Sequence, residues 1–110
     1  MKIQPSEIVG IPFPYTDMST QKRRPVLVLT APDQRGDFIG LAVTSVLTEE
    51  NTFRIESDSL EKGRLPKTSW VRYDKTFTLN ASLIKTHYGS LQKNVFERII
   101  SHLCDHVGCQ

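Results

Sequence analysis

Cysteine is scarce in this sequence. Cys104 and Cys109 are the only two in 110 residues, and both fall in the tail "SHLCDHVGC". That excludes the disulfide framework on which a small secreted domain relies. Long apolar runs are missing too. No stretch approaches the roughly 20 residues of a membrane helix, and the opening "MKIQPSEIV" has no signal-peptide core. The expectation is a soluble, cytoplasmic protein with no membrane partner. Neither sign of charge is in excess, since 14 Lys and Arg against 12 Asp and Glu give +2. A histone-like basic coat is excluded, whereas a local basic site is not, because distribution matters more than the sum. There is no internal repeat and no low-complexity tract. A P-loop, a dinucleotide fingerprint, a His-Glu-x-x-His helix and a nucleophile elbow are all lacking. The tail does interleave His102 and His106 with its cysteines, and histidines four apart share a helix face. No second half-site accompanies them, so the tail reads as a solvent-exposed helix end with incidental thiols, and no metal or cofactor is expected.

What is present is β-rich. The length suits one domain, residues 1–110, around a single modest core. "EIVGIPFPYTD" opens with β-formers and should end or run along an edge near Pro12, because proline has no N–H for a ladder. "DMSTQKRR" reads as a loop. "PVLVLT" is apolar on both faces, which suits a strand covered on two sides. "APDQRGD" is a turn in which Gly36 can take positive φ. "FIGLAVTSV" is a strand whose Gly40 suggests a bend or bulge, and "TFRIES" alternates as another. "DSLEKGRLPKTS" reads as a polar connection, "SWVRYD" as a strand continued by "KTFTLN", and "NASLIKTHYG" as a short helical turn at most. One helix is expected at about 91–104. Ser90 is its candidate N-cap, and Leu91, Val95, Ile99 and Leu103 form a stripe with Phe96 and Ile100 beside it. Five or six short strands and a terminal helix indicate a mainly β, α+β fold, a small curled antiparallel sheet or barrel.

The residues able to carry chemistry are Arg24, Thr44 with Ser45 beside it, Arg72 and Asp74. Each lies at a predicted strand end, which is how a barrel gathers distant residues at one rim. Singly, each has an ordinary reading. Arg24 before Pro25 can terminate a strand, and Thr44 can be a β-former at a strand exit. Arg72 and Asp74, two apart, can be a surface ion pair worth under about 1 kcal/mol.

The combination resembles the PemK/MazF family of toxins from type II toxin–antitoxin pairs. The resemblance rests on "SEIVGIPFPYTDMSTQKRRPVLVLT", "GLAVTSV" and "SWVRYDKTFTLNASLIKTHYGSL", and runs in order from Glu7 to Leu103. It implies a small SH3-like antiparallel β-barrel with a C-terminal helix, forming a homodimer. It also implies a metal-independent, sequence-specific endoribonuclease that cuts single-stranded RNA and is silenced by a cognate antitoxin. The antitoxin would be an acidic, partly disordered chain, through which the complex binds operator DNA. The family's arginine before proline falls on Arg24 and its strand-exit threonine on Thr44. The arginine and aspartate that one branch uses for acid–base work fall on Arg72 and Asp74. That branch also has a histidine in the loop before the arginine–proline pair, and "DMSTQK" has none.

In metal-free cleavage the neighbouring 2′-OH attacks phosphorus, leaving a 2′,3′-cyclic phosphate and a 5′-OH. The planar donors of Arg24 match phosphate oxygens and stay charged, and the Thr44 hydroxyl adds a donor. Asp74 is the acid–base candidate, and Arg72 suits stabilising the leaving oxygen or the phosphorane. Lys22, Arg23, Ser45, Lys62, Arg64, Lys67 and Lys75 supply a phosphate track. Tyr15, Trp70 and Tyr73 can stack bases, although Trp70, inside a strand, has the composition of a core residue. Two rivals stand beside this reading: a non-catalytic CcdB-like toxin that grips DNA gyrase, and an inactive RNA-binding relative. An SH3-like peptide adaptor would need an acidic aromatic groove, which the sequence does not show.

Overall fold

The computed structural model describes residues 3–12, 23–46 and 50–108. In chain order the strands are β1 (Glu7–Pro12), β2 (Arg23–Val28), β3 (Asp37–Thr44), β4 (Thr52–Ile55), β5 (Leu60–Gly63), β6 (Ser69–Asn80) and β7 (Thr86–Leu91), followed by the helix α1 (Lys93–Val107). Among the described residues these make one seven-stranded sheet in the order β4-β6-β3-β2-β1-β7-β5, with every adjacent pair antiparallel.

Alternation along the strands puts apolar residues on both faces of the central strands. Ile8, Leu27, Leu41, Val43, Val71 and Leu91 bury one face against Ile99 of α1, with Val95, Phe96 and Leu103 packed alongside. Val9, Ile11, Val26, Val28 and Phe38 bury the other beneath Leu79, Ala81 and Ile84. "PVLVLT" is therefore covered on two sides as its composition predicts, with Val26, Leu27 and Val28 fully buried. The outer strands β4 and β5 are joined by a single 3₁₀ turn, Ser57–Ser59, and Ile55 and Leu60 on either side of it enter the same core. The sheet is thus curled into a half-barrel.

Several local expectations change. Proline does end β1 at Pro12, but β1 is an interior strand paired on both sides. "DSLEKGRLPKTS" is more than a polar connection, because it contains the 3₁₀ turn and β5, and it buries Leu60 and Leu65. "THYGSL" is the strand β7, so α1 begins at Lys93 and not near 91. Ser90 cannot cap it, since Ser90 pairs with Glu7 in the sheet and the Leu91 N–H donates to Ser6 O at 2.9 Å. Gln92 is the N-cap, and its side-chain Nε2 donates to Asp58 O at 2.8 Å, tying the helix start to the 3₁₀ turn. "NASLIKTHYG" contributes a second 3₁₀ turn, Ala81–Leu83, as its helical signal implies.

Gly40 is required for a different reason than a bend. A Cβ there would lie 2.4 Å from Val26 Cγ1 and 3.1 Å from Leu27 O, so a side chain at this position would collide with the Val26 side chain. The irregularity lies next to it. Leu41 pairs with Thr76 while Ala42 pairs with Arg72, so Tyr73, Asp74 and Lys75 bulge from β6 without partners on β3.

Candidate functional site

The register of the central strands brings the chemical residues together. Val26 pairs with Ala42, and Ala42 with Arg72. Two residues along each strand, the next row in the same register holds Arg24, Thr44 and Trp70, with Thr44 paired to Trp70 and Arg24 to Ile11. Because side chains repeat every second residue, Arg24, Thr44, Trp70 and Arg72 share one face of the sheet.

At the end of the half-barrel this row borders a cavity of about 340 Å³. Arg24, Thr44, Ser45 and Lys67 contribute polar groups to it, and Pro25, Val43, Leu65, Pro66 and Tyr88 contribute apolar surface. The Val46 N–H donates to Thr44 Oγ1 at 3.1 Å. The threonine oxygen is thereby engaged as an acceptor, and its O–H remains to donate to a bound group. The segment from Arg64 to Ser69 forms one wall and is held from three sides. The Arg64 N–H donates to Tyr88 O at 3.0 Å. Ser57 Oγ accepts from the Leu65 N–H at 3.3 Å and donates to Leu65 O at 3.2 Å. Buried Ser69 donates from Oγ to Lys67 O at 3.0 Å, which fixes the backbone carrying Lys67.

Arg72 and Asp74 form an ion pair, Nη2 to Oδ2 at 3.2 Å, with side chains 27% and 21% exposed. The pair is neither buried nor the loose surface bridge that sequence spacing alone allows. Arg72 Nε and Asp74 Oδ1 are covered and have no hydrogen-bond partner among the described residues. The pair stands on the β6 bulge, outside the residues that line the cavity.

Trp70 and Tyr73 of β6 exchange the places their sequence context suggests. Tyr73 packs against the helix-side core and stacks on His102, with centroids 5.5 Å apart and planes at 22°, while His106 meets it edge-on at 5.8 Å. It is engaged by α1 and does not join the face of Arg24. Trp70 is half-buried, belongs to neither core cluster and lies opposite Thr44. The histidines four apart do share a helix face, and they lay it on Tyr73 and Phe53, the latter 5.6 Å from His102. Among the described residues no group of three His, Cys, Asp or Glu side chains is placed to hold a metal ion, and no helix is long and apolar enough to cross a membrane.

Lys62, Arg64 and Lys75 are exposed. Lys62 is on β5, Arg64 follows it at the start of the cavity wall, and Lys75 sits on the β6 bulge. Tyr15, Lys22 and Cys109 lie outside the described residues, as does the side chain of Arg23. The cavity's Leu65 and Tyr88 carry no signal in the sequence, because a turn and a bulge position them, while Ser69 opens β6.

A family model for the PemK-like, MazF-like toxins of type II toxin–antitoxin systems matches residues 4–107. A comparison with curated proteins returns no match. Among solved structures, the chain is similar to a MazE–MazF complex from Deinococcus radiodurans, with TM-score 0.77, 18% identity and 98% of each chain covered. It is also similar to an endoribonuclease in complex with its cognate antitoxin from a mycobacterial species, with TM-score 0.74, 14% identity, and 98% of this chain and 95% of that one covered. The Mycobacterium tuberculosis toxin MazF-mt6 aligns with TM-score 0.70 and 17% identity over 94% of this chain and 98% of its own. At such identities the structural likeness speaks for the fold, and the family model spans nearly the whole chain. The protein belongs to the PemK-like, MazF-like toxins of type II toxin–antitoxin systems.

Proposed function

We propose that this toxin is a metal-independent, sequence-specific endoribonuclease that cleaves single-stranded RNA through the substrate's own 2′-OH. The observation that carries the reading is the meeting of Arg24 and Thr44, from separate strands, at one cavity rim, with Arg72 one register row away on the same face. The 2′-oxygen attacks the adjacent phosphorus and the P–O5′ bond breaks, giving a 2′,3′-cyclic phosphate and a 5′-OH. Arg24 holds the non-bridging oxygens, and the free O–H of Thr44 adds a donor where charge accumulates. Asp74, ion-paired with Arg72, takes the 2′-OH proton, and the leaving O5′ takes its proton from water. Arg72, already tied to Asp74, directs its remaining N–H groups to the phosphorane or the leaving oxygen.

Lys67 on the rim and exposed Lys62, Arg64 and Lys75 give the RNA backbone a cationic path. Trp70, on the face of Arg24, is a better stacking platform than Tyr73. The chain works as a cytoplasmic homodimer and is inhibited by an acidic, partly disordered antitoxin that covers this rim. Antitoxin complexes among the structural neighbours support that partner class.

The test is chemical. RNA with a single 2′-deoxy nucleotide at a mapped cleavage position should bind and remain intact at that bond. Fragments from ordinary RNA should accept a 5′ kinase label without prior phosphatase. Cleavage at the 2′-deoxy position would rule out the 2′-OH as nucleophile.

A further inference from the structure

Tyr88 has no role in the cleavage chemistry, yet the fold takes unusual steps to place it. On β7, Gly89 pairs with Ile8 and His87 with Val9, so Tyr88 is the extra residue of a bulge in the β1–β7 ladder. A bulge re-aims the side chain it carries. The ring is laid across Gly10, where a Cβ would lie 3.2 Å from Tyr88 Cε2 and 3.3 Å from its hydroxyl oxygen. Two more glycines secure the backbone from the other side. Gly63 and Gly89 pair across β5 and β7 at φ +85° and +151°, and a Cβ on Gly63 would stand 2.1 Å from Tyr88 O. Neither position tolerates a side chain. The product of these constraints is an aromatic ring, half-buried against the core, in the wall of the cavity that Arg24 and Thr44 border.

The cavity lining divides by chemistry: exposed Arg24, Ser45 and Lys67, with Thr44, are cationic or hydroxylic, and buried Leu65 with half-buried Tyr88 is apolar. A volume of about 340 Å³ lies near the lower end of the roughly 300–1,000 Å³ of small-molecule sites. That is room for one nucleotide unit, not for a duplex. A nucleotide has the matching division, with an anionic phosphate and a flat apolar base.

We infer that this cavity is a base pocket, in which Tyr88 receives the unstacked base of a nucleotide next to the scissile phosphate and so fixes which bond is cut. The inference rests on the ribonuclease reading for the identity of the phosphate, and it adds Tyr88 as a positioning and specificity residue. An apolar π-face contributes binding without touching the reacting atoms, so its loss should act on KM and on the choice of site more than on kcat.

The experiment compares wild type, Tyr88→Phe and Tyr88→Leu on a long, poorly structured RNA. Cleavage sites are mapped and KM and kcat measured, with thermal melts to show that each variant folds. Tyr88→Phe, which keeps the π-face, should keep the site profile. Tyr88→Leu should raise KM by about tenfold or more, change kcat much less, and relax base preference at one position flanking the cut. A folded Tyr88→Leu protein with unchanged KM and profile would overturn the base pocket and leave the nuclease standing. If the wild type cuts nothing, the same variants are compared for binding of labelled single-stranded RNA. A tenfold loss in Tyr88→Leu alone would then keep the pocket while the nuclease reading fails, and equal binding would end both. Independently of any variant, RNA carrying halogenated pyrimidines and purines is irradiated with the wild-type protein. Cross-linking to the peptide containing Tyr88 is expected, and its absence while other aromatic peptides cross-link counts against the pocket.

Discussion

Thr44 Oγ1 accepts from the Val46 N–H, and the proposed role of its O–H is to donate to the scissile phosphate. Thr44→Val should therefore lower kcat by about tenfold to a hundredfold, whereas Thr44→Ser, which preserves both functions of the hydroxyl, should stay near wild type. Single-turnover rates at saturating RNA would measure this. Asp74→Asn keeps the shape beside Arg72 but removes the base, and should cost a hundredfold or more in rate, with RNA binding retained. Binding lost together with rate would instead assign Asp74 a structural role through Arg72. At this scale the sequence placed Arg24 and Thr44 at strand ends, as the structure does, whereas Arg72 and Asp74, expected at a strand end, lie within β6 beside its bulge. It did not separate Tyr73 from Trp70. Both are aromatic residues in one strand, and only the pairing of β6 with β3 and the position of α1 decide which ring faces the core.

The β2–β3–β6 ladder depends on Gly40 and on the register jump beside it. Gly40→Ala forces a Cβ onto Val26 and should destabilise the fold by about 1–3 kcal/mol, as overpacking does. Ile99, fully buried beneath the sheet, is the helix's main anchor. Ile99→Ala should cost about 2–5 kcal/mol, read as a lower midpoint in urea denaturation. The strand "PVLVLT" was legible because its apolar residues cover both faces, and most of the helix because its stripe repeats every four residues. β5 and β7 were not. They are short, carry glycines at positive φ where a strand pattern would continue, and are interrupted by bulges at Glu61 and Tyr88. Sequence periodicity carries no signal of a strand whose side chains have been re-aimed.

Over the whole molecule, a net charge of +2 leaves RNA affinity to a local cluster and not to a general field. Binding should fall with salt, and removing one phosphate-contacting cation should reduce the slope of log K against log salt by about 0.7. Lys67→Ala, on the cavity rim, should do so, and Arg35→Ala, exposed in the β2–β3 turn, should not. Titrations of labelled single-stranded RNA at several salt concentrations would separate them. The curled sheet was expected from composition and strand count. The cavity was not, because it exists only where the ends of β2 and β3 meet the Arg64–Ser69 segment and the bulge of β7.

Whether Arg24 holds the scissile phosphate in a reaction that needs no metal is decided by incubating wild type and Arg24→Ala with long single-stranded RNA in excess EDTA. Wild type should cut with 5′-OH ends, the variant should lose at least a hundredfold in rate, and DNA of the same sequence should stay intact. Equal cutting by both proteins, or wild-type activity that disappears in EDTA and returns with a divalent cation, would contradict this reading.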